Sequence, residues 1–315
     1  MAVRRPATIA ELAAGGKPAL ARTLSAIETA ADDPAFLQLL DEAAGAGGGR
    51  VVGLTGPPGV GKSTLTNALI RAYRARGETV GVIAVDPSSQ ITGGALLGDR
   101  TRLSTDPEDT GVFVRSMAAR DRLGGLSDHA IAAVVLMRAV MDRVIVESVG
   151  IGQSEADVAH VADTLALCIQ PGSGDSLQFM KAGVMELPDL VLVTKADMGA
   201  LARRAAADVQ GALTLARPAG AGLPEVLTVS ATSEQGIAEA VAACDAHTAK
   251  LEASGELSER RKRQQRHWVV DAVTRRFGTV GRGACDIDAA LAGAGGPFTA
   301  IARLDAELRT RFRPS

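Results

Sequence analysis

Residues 56 to 63 read Gly-Pro-Pro-Gly-Val-Gly-Lys-Ser, a full G-x-x-x-x-G-K-[ST] phosphate-binding loop. An apolar run, Arg50 to Thr55, precedes it and a helical pattern follows, the context that makes the motif a nucleotide triphosphate site. The candidate cradle runs from Gly56, Pro57, Pro58, Gly59, Val60 and Gly61 to Lys62, Ser63 and Thr64. Its glycines let successive backbone N–H groups turn toward a phosphate, and the following helix directs its positive end at the same anion. Lys62 is expected to reach the β and γ phosphates. The Ser63 hydroxyl is expected to ligate Mg2+, a hard cation that takes oxygen donors.

From residue 50 to about 246, short β-branched runs alternate with helical patterns. The runs at 50–55, 80–85, 112–115, 143–148, 164–170, 189–194 and 226–230 predict a mostly parallel sheet with helices on both faces. Loops at the carboxyl ends of such strands carry the chemistry. Before this domain, Leu20, Leu24 and Ile27 predict a helix behind Pro18, and Asp33-Pro34 reads as cap and first turn of a second, through Leu40. The segment Gly45 to Gly49 reads as a flexible joint. Beyond 250, the charged run Glu259 to Arg266 leads into an apolar stripe of Val270, Val273 and Phe277, an amphipathic helix. A last helix opens at Pro297, with Phe298, Ile301, Leu304, Leu308 and Phe312 on one side. The basic run is read as a solvated face in preference to a binding patch. The expected division is a helical region over 1–49, a nucleotide domain over 50–250 and a helical arm over 251–315.

The run Arg143 to Gly150 ends a hydrophobic strand in Glu147, three positions before a glycine. In phosphate-loop enzymes an acid here holds Mg2+, often through water, and the Gly150 N–H senses the γ-phosphate. A second acidic strand end, Val82 to Asp86, puts Asp86 near the metal, with Pro87 turning the chain away. The polar segment 92–100 suits a loop that orders around phosphate and Mg2+. Within it Asp99 is either a further metal and catalytic residue or a turn cap. Base choice falls to Thr194-Lys195-Ala196-Asp197, because a carboxylate accepts the paired N–H donors of guanine and adenine offers no such pair. Thr194 stands where Asn is usual, and its hydroxyl replaces part of the amide's bonding to the loop backbone. Ser230, Ala231 and Thr232 follow another apolar run and offer backbone N–H groups to guanine O6. In this order and spacing the four motifs form a GTPase signature, with GTP or GDP and Mg2+ as cofactors and Lys62, Asp99 and Glu147 as the catalytic set.

Composition narrows the alternatives. With 315 residues, 46% of them hydrophobic, the chain can bury a real core, and a net charge of −2 gives no electrostatic case for nucleic acid. No apolar stretch approaches a membrane span, so no membrane association is expected. Two early arginines are followed by Glu11 and no apolar signal core, which argues against a secretory peptide and leaves a short organelle address as the lesser alternative. Cys168, Cys244 and Cys285 form no Cys-x-x-Cys pair, which fits a reducing cytoplasm, and Cys168 reads as core packing. The four histidines show no metal or catalytic spacing.

Between the generic motifs stand Val85 to Ser89, Thr92-Gly93-Gly94, Gly98 to Arg102, Leu123-Gly124-Gly125, Glu147 to Glu155, Pro171 to Asp175 and Lys181 to Glu186. With these strings the chain resembles the MeaB/ArgK family of G-protein chaperones that serve cobalamin-dependent acyl-CoA mutases. The resemblance implies a signal-recognition or metallochaperone type of GTPase fold, N-terminal helices and a C-terminal dimerisation arm, hence a homodimer. It also implies that GTP hydrolysis gates adenosylcobalamin transfer into a mutase partner and protects or reactivates that partner. By position, Ser63, Asp86, Asp99 and Glu147 inherit the magnesium region. Residues 92–100 and 150–158 inherit two nucleotide switches, and 172–186 a third that faces the partner. Departures are Thr194 for Asn, Asp121 for a frequent Gly, and Ser148 for Thr. No arginine finger or water-orienting glutamine is assigned, although Arg120 and Gln153 lie in suitable loops. Rival readings are a metallochaperone GTPase, which needs a Cys/His cluster, an ATP-dependent kinase linked to basic amino-acid transport, which Asp197 disfavours, and a GTP-binding module that does not hydrolyse.

Overall fold

The computed structural model describes residues 5–30, 33–86, 103, 105–106, 108–118, 126–148, 154–172, 186–216 and 222–312. The chain divides into two compact units, one of Met1–Gly49, Asp128–Val140 and Ser258–Ser315, the other of Arg50–Ser127 and Met141–Leu257.

The second unit is built on strands β1 (Arg50–Thr55), β2 (Val80–Asp86), β3 (Val112–Ala118), β4 (Arg143–Glu147), β5 (Thr164–Ile169), β6 (Leu190–Val193) and β7 (Glu225–Thr228). They lie in the order β3-β2-β4-β1-β5-β6-β7, and each neighbouring pair is parallel. All seven predicted runs are strands, the first with the same ends and the others with an end shifted by up to three residues. Strands β4, β5 and β6 are buried along their whole length, as a sheet covered on both faces requires. Helices α4 (Lys62–Ala75) and α8 (Ile237–Ala253) supply Leu65, Leu69, Tyr73, Ile237 and Val241 to a core shared with Val52, Leu54, Ile145 and Leu192. On the other face, α7 (Ala200–Ala216) sets Val209 and Leu213 against Leu167, Ile169 and Val191. There too α6 (Ser154–Ala159) crosses β1 so closely that a Cβ at Gly53 would meet Val158 Cγ1 at 2.4 Å. Chain order places β2 to β4 on one side of β1 and β5 to β7 on the other. The connection therefore reverses at β1 and β5, and their carboxyl ends flank the crevice where ligands bind in such sheets.

The first unit is helical: α1 (Ile9–Ala14), α2 (Gly16–Ala26), α3 (Pro34–Gly45), α5 (Asp128–Val140), most of α9 (Glu256–Gly283), α10 (Ile287–Ala294) and α11 (Pro297–Arg311). Thr8 caps α1 by accepting the Glu11 N–H at 3.2 Å, while the Glu11 carboxylate accepts the Ala7 N–H. Helix α2 begins two residues before Pro18, which is harmless because the N–H groups of a first turn have no helical acceptor. Asp33 caps α3 as expected, and its carboxylate accepts the Ala35 N–H. Val269 and Val273 join Ile287, Ala300, Leu304 and Leu308 in the C-terminal core. Phe312, expected on the apolar side, is 42% exposed and lies against the Phe277 ring with centroids 6.4 Å apart.

Two expectations need correction here. Residues 45–49 are pinned by hydrogen bonds and do not form a loose joint. Arg261 donates to Gly47 O and Gly49 O, the Gly49 N–H donates to Arg138 O at 2.7 Å, and a Cβ at Gly48 would meet that same carbonyl at 2.3 Å. The basic run is accordingly more than a solvated face. Arg261 and Gln265 bind backbone at the end of α3, and Arg138 gives Ala44 O a further donor at 2.8 Å.

No helix among the described residues is long and apolar enough to cross a membrane. Helix α11 begins after Gly296, which has no side chain to cap it, and Asp41 of α3 accepts the Phe298 and Thr299 N–H groups instead, at 2.8 and 3.1 Å. Asp41→Ala is expected to lower the stability of this unit by about 1–2 kcal/mol, and Asp41→Asn by less, in denaturant unfolding.

Candidate functional site

The loop after β1 turns through three left-handed glycines, Gly56 (φ 136°), Gly59 (φ 78°) and Gly61 (φ 97°). Gly56 has a second reason to be glycine, since a Cβ there would lie 2.2 Å from Cys168 O at the end of β5. Val60 tucks into the core, Pro58 and Gly59 stay exposed, and α4 starts at Lys62 with Thr64 facing outward. Lys62 is buried, and its Nζ donates to Gly56 O at 2.8 Å and Pro57 O at 2.9 Å. The ammonium thus sits in the bowl of the loop. Cys168 is fully buried beneath it, and burial pushes its thiol up to about 12, which makes it packing and not a nucleophile.

Glu147 closes β4 beside Leu54 of β1 and is 6% exposed. Ser63 donates to its Oε1 at 2.7 Å and Thr66 to its Oε2 at 3.0 Å. The adjacent Ser148 N–H continues the ladder to Leu54 O at 3.1 Å. A hydroxyl and a carboxylate so close are both hard oxygen donors, a set that suits Mg2+. Asp86 is the last residue of neighbouring β2. Asp99 and Gly150 lie outside the described residues, as do Arg120, Asp121, Gln153 and the segments 92–100 and 173–185.

Along the same carboxyl edge, Thr194 follows β6. Its hydroxyl donates to Val60 O at 2.7 Å, with Ile169 O a second acceptor at 3.1 Å, so it ties the phosphate loop to β5 and β6. The expected bonding of this hydroxyl to loop backbone is thus present. Lys195 holds a left-handed backbone (φ 57°), uncommon outside glycine, and its Nζ donates to Gln170 Oε1. Asp197 sits in a single 3-10 turn, and Ser230 donates to its Oδ1 at 2.7 Å. Thr232 Oγ1 lies 3.0 Å from the same Ser230 hydroxyl, the Ala196 N–H reaches Val229 O, and Ala231 packs on the core.

The fold therefore gathers the loop, Glu147, Thr194 to Asp197 and Ser230 to Thr232 along the carboxyl ends of β1, β4, β6 and β7. Two contributors were missed in the sequence. Thr66 left a signal, a hydroxyl on the apolar side of α4 one turn beyond Ser63; Gln170 left none. Among the described residues no group of three or more His, Cys, Asp or Glu side chains could hold a metal ion.

The sequence model of the family described as methylmalonyl-CoA mutase-associated GTPase MeaB matches residues 20–281. A putative GTPase of Pyrococcus horikoshii is 44% identical over 225 residues, 69% of this chain and 69% of that protein. The mouse methylmalonic aciduria type A homolog, mitochondrial, is 38% identical over 226 residues, 70% of this chain and 54% of that protein. The crystal structure of an LAO/AO transport system kinase superposes with a TM-score of 0.66 at 28% identity, covering 98% of this chain and 100% of that one. With the parallel sheet, the phosphate loop and these matches together, the chain belongs to the MeaB family of methylmalonyl-CoA mutase-associated GTPases.

Proposed function

We propose that this protein is a Mg2+-dependent, GTP-hydrolysing chaperone that gates adenosylcobalamin loading into a cobalamin-dependent acyl-CoA mutase and protects or reactivates that enzyme. It acts in the cytoplasm as a homodimer, with residues 251–315 as the dimerisation arm. The observation that carries the nucleotide part is the Asp197 carboxylate held by Ser230, on the same sheet edge as the phosphate loop and joined to it through Thr194. Family membership supports the partner.

In this reading the Lys62 ammonium leaves the Gly56 and Pro57 carbonyls for the β and γ phosphates, and the N–H groups at the start of α4 face the same charge. Ser63 and Glu147 hold the cation, with Asp86 and Asp99 in the same region; when bound, Mg2+ offsets the negative charge on the phosphates. The Ser63 oxygen keeps lone pairs for the cation while its O–H still donates to Glu147. Asp197 accepts the N1–H and N2–H2 of guanine, and the Ser230 proton fixes which way the carboxylate points. Lys195 lies along the base, and Ser230 to Thr232 complete the base pocket. Residues 92–100, 150–158 and 172–186 act as the switches, and the attacking water is poorly aligned until a partner or second subunit engages them, so hydrolysis is slow without one.

A second reading, an ATP-dependent kinase, is favoured by the solved relative described as an LAO/AO transport system kinase. Adenine gives Asp197 no pair of donors, so GTP over ATP in direct binding separates the two. Asp197→Asn is expected to reduce that preference at least tenfold, and an unchanged ratio removes Asp197 from base recognition. Thr194→Val takes the donor from Val60 O and is expected to weaken GDP binding about three- to tenfold in calorimetry. For the chaperone role, protein loaded with GDP or a non-hydrolysable GTP analogue is used to capture partners from native extract. A cobalamin-dependent mutase is the expected catch; its absence under both nucleotides, with the mutase present in the extract, overturns that role.

A further inference from the structure

Strand register sets Ile169 of β5 opposite Val193 of β6, and the Thr194 N–H continues that pairing to Ile169 O at 2.7 Å. Gln170 and Lys195 are the next residues out, so they stand together at the carboxyl ends of two neighbouring strands. The Lys195 backbone is fixed from both sides. Before it comes the Thr194 bond; after it the Ala196 N–H donates to Val229 O at 3.0 Å, and the Lys195 carbonyl accepts the Met198 N–H at 2.9 Å. These bonds hold it at φ 57°, ψ 44°, a left-handed conformation that a residue other than glycine keeps only where its surroundings over-determine it.

From this fixed backbone the lysine side chain crosses back to β5, where its Nζ donates to Gln170 Oε1. An ammonium carries donors only, so the amide has to present its oxygen, and the contact settles which way the Gln170 amide faces. Gln170 is half-buried and Lys195 exposed, an anchored partner for a long side chain at the surface. A lysine has many rotamers, and a ligand that packs on its stem has to order them. Where a neighbour already holds the far end, less of that ordering falls on the ligand.

We propose that Gln170 is a positioning residue for the base site: by holding the Lys195 ammonium at the end of β5, it lays out the four-carbon stem of that lysine as the wall against which the face of guanine packs. Gln170 acts on the nucleotide through Lys195. In water a single exposed contact of this kind contributes little, and a base lying over the stem excludes water and strengthens it. The proposal rests on the reading of Lys195 as the side chain along the base.

The test is calorimetric titration of the full chain with GDP and with inosine diphosphate, for wild type, Gln170→Leu, Lys195→Ala and the double variant. Gln170→Leu is expected to bind GDP about three- to tenfold more weakly, the equivalent of ordering one long side chain on binding. Lys195→Ala is expected to lose at least as much, and the double variant no more than Lys195→Ala alone. Inosine lacks the 2-amino group at the edge of guanine but keeps the ring face, so Gln170→Leu is expected to leave the GDP to inosine diphosphate ratio unchanged. Wild-type affinity in Gln170→Leu, with Lys195→Ala weakened, overturns the role of Gln170 and leaves the reading of Lys195 standing. Wild-type affinity in Lys195→Ala overturns that reading, and the proposal falls with it. Losses that add in the double variant, or a changed ratio in Gln170→Leu, show that Gln170 acts by a route other than the Lys195 stem and also overturn the proposal. Should Gln170→Leu not fold, Gln170→Ala carries the same loss of acceptor.

Discussion

A carboxylate in a protein interior must find donors or leave the structure short by a few kcal/mol. Glu147 finds two on a single helix, and much of the nucleotide unit depends on that fact. Because Ser63 and Thr66 both reach it, the end of β4 and the first turns of α4 are locked in rotation and height. The phosphate loop is the short connection between β1 and that helix, and β1 is itself registered against β4, Leu54 opposite Glu147. The loop's shape is therefore set at both ends before any ligand arrives, the kind of preorganisation on which binding and phosphoryl transfer depend.

The Asp197 turn is tied to the phosphate loop by means just as local. Thr194 spans from β6 to Val60 of the loop, Gly56 packs directly on the Cys168 carbonyl of β5, and Ser230 holds Asp197 across from β7. These contacts chain four parallel strands through backbone carbonyls and hydroxyls rather than through surface ion pairs, so salt screens them little. Replacing the usual Asn by Thr keeps one donor for the loop carbonyl and gives up the amide's second N–H.

The helical unit solves a different problem, the carbonyls left over at the end of α3. Arg138, Arg261 and Gln265, from two other helices, take the carbonyls of Ala44, Gly47 and Gly49 between them. Gly47 and Gly49, with no side chains of their own, are in this way held through their carbonyls. Glycine here serves close approach at Gly48, where a Cβ would strike Arg138 O, and not looseness.

Much of this was legible in the sequence wherever the cause is local. Three glycines before a Lys-Ser pair specify a loop that only positive φ can make, unbroken apolar runs specify strands buried on two faces, and Asp33-Pro34 specifies a helix start. The order of motifs carried the family. The limits of local reading appear in the same residues. Composition made 45–49 look slack and 259–266 look solvated, because the partners of a backbone carbonyl 212 or more residues away leave no periodic trace. Thr66 and Gln170 were passed over for the same reason: their partners, Glu147 and Lys195, lie 81 and 25 residues along the chain. The sequence by itself determined the phosphate loop, the strands and the helix starts, since each follows from allowed backbone angles and short-range burial pattern. Only the tertiary structure decided which hydroxyls hold Glu147, which carbonyl Thr194 reaches and what pins the glycine segment, since those depend on strand register and helix rotation, set when distant segments pack.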